Sequence, residues 1–155
     1  MLFRSEPFYG DDGVECGCGF FQTEPGVLRR LIIDAHRSGW QVGTHAIGDR
    51  AVATVLDCYA EAQRLYPRQG TRHRIEHCGV IAEGLLDTMK ALGVVPVPQG
   101  RFVNEIGDGM KRALGAHRTP DAYRQRSFLE RGIPLPGSSD RPVVNGAPLL
   151  GIHDM

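Results

Sequence analysis

The stretch Trp40-Gln41-Val42-Gly43-Thr44-His45-Ala46-Ile47-Gly48-Asp49 decides the fold. A short run suited to a buried strand ends on a histidine, then turns through Gly48 into a helix for which Asp49 is read as the cap. Barrel enzymes present catalytic groups in this way, at the end of a strand and just before a helix. Upstream, Leu28, Leu31, Ile32 and Ala35 recur at helical spacing; Thr23 and Pro25 suit the entry and Gly39 the position just past the end. Downstream, Val52, Val55, Leu56 and Tyr59 form one apolar stripe of a helix that runs to about Tyr66, before Pro67. The device then recurs: His73-Arg74-Ile75-Glu76 leads into His77, and Ile133-Pro134-Leu135-Pro136-Gly137-Ser138-Ser139 leads into Asp140.

The remaining stretches fill in an alternation. Residues 1–22, with Gly10, Gly13, Gly17 and Gly19, read as an irregular lead-in. A helix starts near Glu83 with Leu85, Leu86, Met89 and Leu92 inward and closes at Gly93. Val94-Val95-Pro96-Val97-Pro98 is a short or irregular strand, because each proline removes a ladder donor. Residues 100–119 lack a clear period and read as a long loop, either a lid over substrate or an excursion with part of a helix around Met110 to Leu114. Asp121 to Arg131 reads as a helix ended by Gly132, and Pro142 to Met155 as a turn-rich tail. Alternating strands and helices predict an α/β fold with a parallel sheet. The 155 residues make one domain, too short for a complete eight-stranded barrel of about 250 residues.

Composition narrows the partners. Lys plus Arg and Asp plus Glu both number 18, and the basic residues are scattered, which predicts neither nucleic-acid nor membrane binding. No apolar run approaches a membrane span and no secretory signal opens the chain, so the expected compartment is the cytoplasm. Cys16, Cys18, Cys58 and Cys78 form no disulfide framework. Cys16-Gly17-Cys18 lacks the second close pair of a structural metal site and reads as a glycine-rich surface loop.

Imidazole and carboxylate are usual ligands for zinc, and a catalytic metal needs them on separate rigid elements that converge on an open position. His45, His77 and Asp140 meet that requirement if their strands share one rim. Strict alternation would put Ile75 on the same face as His77 and turn Arg74 and Glu76 toward the helices, burying charge unless the two pair or the strand bulges. Cys78 is no nucleophile for His77, because strand neighbours point to opposite faces.

Together Thr44-His45-Ala46-Ile47-Gly48-Asp49, Arg74-Ile75-Glu76-His77-Cys78 and Gly137-Ser138-Ser139-Asp140-Arg141-Pro142-Val143 resemble the metal-dependent amidohydrolase superfamily, in its amidohydrolase-3 branch, which includes N-substituted formamide deformylases. The resemblance covers the chain from about Glu6 onward. It implies a partial TIM-type (β/α) barrel, approximately strands five to eight with their helices. His45 would end the fifth strand and His77 the sixth, both on the more exposed of two metals. Asp140 would end the eighth, binding the other metal and serving as general base. Gln99, Arg101 and Phe102, at the end of the seventh strand, would shape the substrate pocket. The implied cofactor is a divalent metal, zinc first, binuclear in intact relatives, and the implied substrate a small amide-type molecule. Family members also carry a His-x-His pair on the first strand and a carboxylated lysine on the fourth. Here there is no His-x-His, and Lys90 and Lys111 are the only lysines, one in a predicted helix and the other in the long loop. The resemblance therefore implies a chain inactive alone, which either self-associates or pairs with a complementing N-terminal half. A non-catalytic scaffold, or a gene fragment without independent function, is the competing expectation.

Overall fold

The computed structural model describes residues 2–3, 6–10 and 12–155. Short strands β1 (Leu2–Phe3) and β2 (Gly19–Phe20) pair antiparallel across the lead-in. Then come α1 (Pro25–Arg37), β3 (Gly43–Ala46), α2 (Asp49–Leu65), β4 (Arg74–His77), α3 (Glu83–Ala91) and β5 (Val95–Val97). After β5 the chain is helical: α4 (Gly100–Glu105), α5 (Gly107–Arg118), a 3-10 turn at Thr119–Asp121, α6 (Gln125–Glu130) and α7 (Pro148–His153). No helix among the described residues is long and apolar enough to cross a membrane.

Strands β3, β4 and β5 form a parallel sheet in that order, with Ala46 opposite His77 and Glu76 opposite Val97. Helices cover one face. Ala46 and Ile75 join Val52, Val55 and Leu56 of α2, Leu86 and Met89 of α3, Ile32 of α1 and Phe128 of α6 in a single core. The burial of these aliphatic side chains, worth about 1.5–3 kcal/mol each, drives the assembly. Tyr59 ties α2 to the sheet through its hydroxyl, which shares a hydrogen bond with Thr44 Oγ1 (2.8 Å) and lies 2.8 Å from the Arg74 carbonyl.

The start of α1 is held by Glu24, whose carboxylate accepts from the Gly26 and Val27 amides at 2.9 and 2.8 Å. Its C-terminal end is held by Arg68, whose guanidinium donates to the carbonyls of His36, Gly39 and Trp40. Beneath that end two buried histidines meet, with His36 Nδ1 2.8 Å from His73 Nε2. The Val42 amide donates to His73 Nδ1 at 3.0 Å, so His73 carries its proton on Nε2 and donates to His36 Nδ1. His36 in turn donates from Nε2 to the Tyr66 carbonyl at 2.7 Å.

Several sequence expectations are corrected. Residues 100–119 are not a long loop but α4 and α5, bent at Gly115 (φ 74°). The glycines hide the helical period, and tertiary contact supplies what propensity lacks: a Cβ at Gly100 would stand 2.3 Å from the Gly151 carbonyl oxygen, so α4 starts flush against α7. The tail is likewise not all turn, since Pro148 opens α7. Gly48, rather than Asp49, caps α2. The helix expected from Asp121 starts only at Gln125, because Tyr123 adopts φ 45° and gives its amide to Gly79 O.

The strand expected from Ile133 is reduced to one parallel bridge, Gln99 to Ser138. Val95 gives its amide to His73, so alternation turns the backbone of residues 96 and 98 toward the 133–138 segment. Those two positions are prolines, as are 134 and 136 across from them, and the first donor on the seam is the Ser138 amide, to Pro98 O at 3.0 Å.

Candidate functional site

His45, His77 and Asp140 come together at the carboxyl rim of the sheet. The rings of His45 and His77 stand edge to face, 4.4 Å apart, and His77 Nε2 lies 4.0 Å from Asp140 Oδ2. The route by which His77 arrives differs from strict alternation. Ile75 faces the helices, while Arg74 and Glu76 lie on the open face with Gly43 and pair there at 2.9 Å. A Cβ on Gly43 would stand 3.0 Å from Glu76 Oε1, so the missing side chain gives the pair its space. His77 then turns out of the helix-covered face through a left-handed backbone (φ 71°), followed by Cys78 (φ 48°). Asp140 also sits at positive φ (55°). Such conformations cost about 1–3 kcal/mol each in residues with a side chain, and here they gather at one rim.

The proton on His77 is placed by Gln99. The Gln99 amide nitrogen donates to Val97 O at 3.1 Å, leaving Oε1 to accept from His77 Nδ1–H at 2.8 Å. His77 Nε2 is thereby the ring atom turned toward Asp140. His45 lies at the exposed end of its strand; partial burial, and then the nearby His77, lower its pKa to about 4 and keep it neutral. Two imidazoles and a carboxylate are donor types that a divalent cation takes. Among the described residues, no three His, Cys, Asp or Glu side chains close into a ligand shell of their own.

The residues expected to shape a substrate pocket divide. Phe102 stays near the site, its ring 6.1 Å from that of His77. Gln99 is 1% exposed and fully occupied with His77 and Val97, so it orients a histidine rather than meeting a ligand. Arg101 turns away, pairing with Glu105 at 2.7 Å and with Asp154 of the tail at 2.6 Å. Two features had no sequence signal. Asp49, at the start of α2, is buried against Arg118 (2.7 Å), which fixes the loop after His45 to the end of α5. Tyr123 is brought to the loop after His77 by its strained backbone and by the Val80 to Ala122 bridge.

The chain is 31% identical over 145 residues to the putative amidohydrolase YtcJ of Bacillus subtilis (strain 168), covering 94% of this chain and 26% of that protein. It is 32% identical over 136 residues to protein LONG AFTER FAR-RED 3 of Arabidopsis thaliana, covering 87% and 23%. The chain thus spans about a quarter of the length of these relatives. Among solved structures, an uncharacterized metal-dependent hydrolase from Pyrococcus furiosus superposes with a TM-score of 0.80 at 27% identity, covering 99% of this chain and 30% of that one. A similar protein from Pyrococcus horikoshii OT3 gives 0.80 at 26%, covering 99% and 29%. The family model described as the amidohydrolase family matches residues 2–155, and the chain belongs to that family.

Proposed function

We propose that this chain carries part of the active site of a metal-dependent hydrolase that cleaves non-peptide carbon–nitrogen bonds of the amide or formamide type. The observation that carries the proposal is the meeting of His45, His77 and Asp140 at one rim, with the His77 proton held on the far side by Gln99. His45 and His77 would hold the cation through neutral nitrogens, with Asp140 beside them; zinc is the first candidate for such a set. When bound, a divalent cation acidifies water and polarises a carbonyl. Asp140, with its side chain 42% exposed, is open to substrate and serves as the proton shuttle. It takes a proton from the attacking water as the carbon–oxygen bond forms and passes it to the nitrogen as the carbon–nitrogen bond breaks. The β3-β4-β5 sheet and the 133–138 segment are then the latter strands of a TIM-type barrel.

The test is metal content and turnover of the intact protein on amides, N-alkyl formamides and cyclic ureides. The double substitution His45→Ala, His77→Ala is expected to strip bound zinc and abolish turnover. Full zinc retention in that variant would overturn the assignment.

A second proposal has its own observation. The outer edge of β3 has no strand partner among the described residues, and beside it runs a groove of about 470 Å³ lined by Leu28, Leu31, Ile32, Ala35 and Val42. An unpaired edge flanked by apolar side chains is a surface for association. On this reading the chain is a half-barrel partner that works through a second copy or a complementing chain.

A further inference from the structure

Arg118, at the end of α5, is a buried guanidinium among acids. It is 7% exposed, as is Asp49, and its Nη2 lies 2.7 Å from Asp49 Oδ2. Glu6 Oε2 approaches Nη1 at 3.3 Å, and Asp121 Oδ2 approaches Nε at 3.8 Å. Taking two charges out of water costs about as much as their attraction returns, and an apolar pair of the same bulk often holds a fold equally well. What a charged hydrogen bond adds is direction, one donor set against one acceptor at a fixed distance.

The segments that meet at Arg118 give that direction a use. Asp49 opens α2 four residues after His45; Gly48 gives this helix no side-chain cap, and Arg118 holds its first turn from outside. The tie therefore reaches the loop behind one imidazole. The turn that follows Arg118 holds the loop behind the other. There the Ile81 amide donates to Asp121 O at 3.1 Å, and the Tyr123 amide donates to Gly79 O at 2.8 Å. The two loops are also bonded to each other, Cys78 N–H to Ala46 O at 3.0 Å and Val80 N–H to Ile47 O at 2.8 Å. Residues 118–123 thus brace both loops at once, and the rings that precede those loops stand 4.4 Å apart.

We propose that Arg118 is a positioning residue of the candidate metal site: through Asp49 it sets the separation of the His45 and His77 rings. The inference takes the task of those rings from the hydrolase reading, but their separation is measured without metal. The test removes both charges together, in Asp49→Leu, Arg118→Met, so that no buried charge is left without its partner. In the metal-free intact protein, the proton Overhauser contact between the His45 and His77 rings is expected to be lost in this variant. The contact between His36 and His73, whose rings lie 5.1 Å apart away from the brace, is expected to persist and serves as the internal control. Zinc affinity is expected to fall by roughly tenfold, as when a ligand loses its supporting contacts. Asp49→Asn keeps an acceptor for Arg118 and is expected to retain the His45 to His77 contact. A double variant that keeps this contact, loses the control contact as well, or fails to fold would overturn the proposal. Loss of the contact in the double variant, with no zinc bound by wild type, would support the positioning role and count against the hydrolase reading alone.

Discussion

At the scale of single residues, the site depends on how His77 is delivered and held. A strand that kept perfect alternation would point this imidazole into the helical core; the left-handed turn at His77 sends it to the rim, and Gln99 fixes its tautomer. Gln99→Leu preserves bulk and removes both bonds. It is expected to weaken zinc binding by about 10–100-fold in the intact protein, as loss of a ligand's orienting partner does, and to cost about 1–2 kcal/mol in urea unfolding. Unchanged zinc affinity by competition with a chromophoric chelator would rule out the orienting role. The histidines and the aspartate were legible as residue types ending strand-like runs. The role of Gln99 was not, because a glutamine after Pro98 carries no pattern and only the fold sets it 2.8 Å from His77. The opposite happened with Arg101: beside a predicted site it read as a substrate contact, yet its charge is satisfied by Glu105 and Asp154.

At the scale of elements, those with a clear apolar period were legible and those held by tertiary contact were not. The stripe of α2 buries as its spacing requires, as do Leu86 and Met89 of α3, while Leu85 and Leu92 pack beside them only partly buried. By contrast α4, α5 and α7 carry glycine or proline and depend on close backbone packing. The junction of α1, α2 and β4 is one contact expected to respond to acid. In the His36 and His73 chain every donor already faces an acceptor, so an added proton on His73 would set its Nδ1–H against the Val42 amide. Burial first, then His36 and Arg68, lowers the His73 pKa from 6.5 to about 4. Below about pH 6.5 the unfolded chain takes up a proton that the folded chain refuses until about pH 4. Stability therefore falls across that window as pH drops and levels off below it, by on the order of 1–3 kcal/mol. Urea midpoints measured from pH 7 to pH 4 check this; a His73→Gln chain with an undiminished slope would assign the effect elsewhere.

At the scale of the whole molecule, the sheet has helices on one face, while His45 and the Arg74 and Glu76 pair occupy the other. With the β3 edge and its groove open as well, the proposed half-barrel is expected to associate at micromolar concentration. Light scattering should report a mass above that of one 17.0 kDa chain, and a stable, well-dispersed monomer would refute the association. The four prolines along the seam between residues 95–98 and 133–138 bear on chemistry as well as on strand count. With no backbone donor before Ser138, the arm that carries the acid is fastened to the arm that carries the imidazoles mainly at its tip. Small sliding of one against the other breaks no ladder, so on the proposed reading the distance from Asp140 to the two histidines is expected to adjust to guests of different bulk while His45 and His77 keep their register.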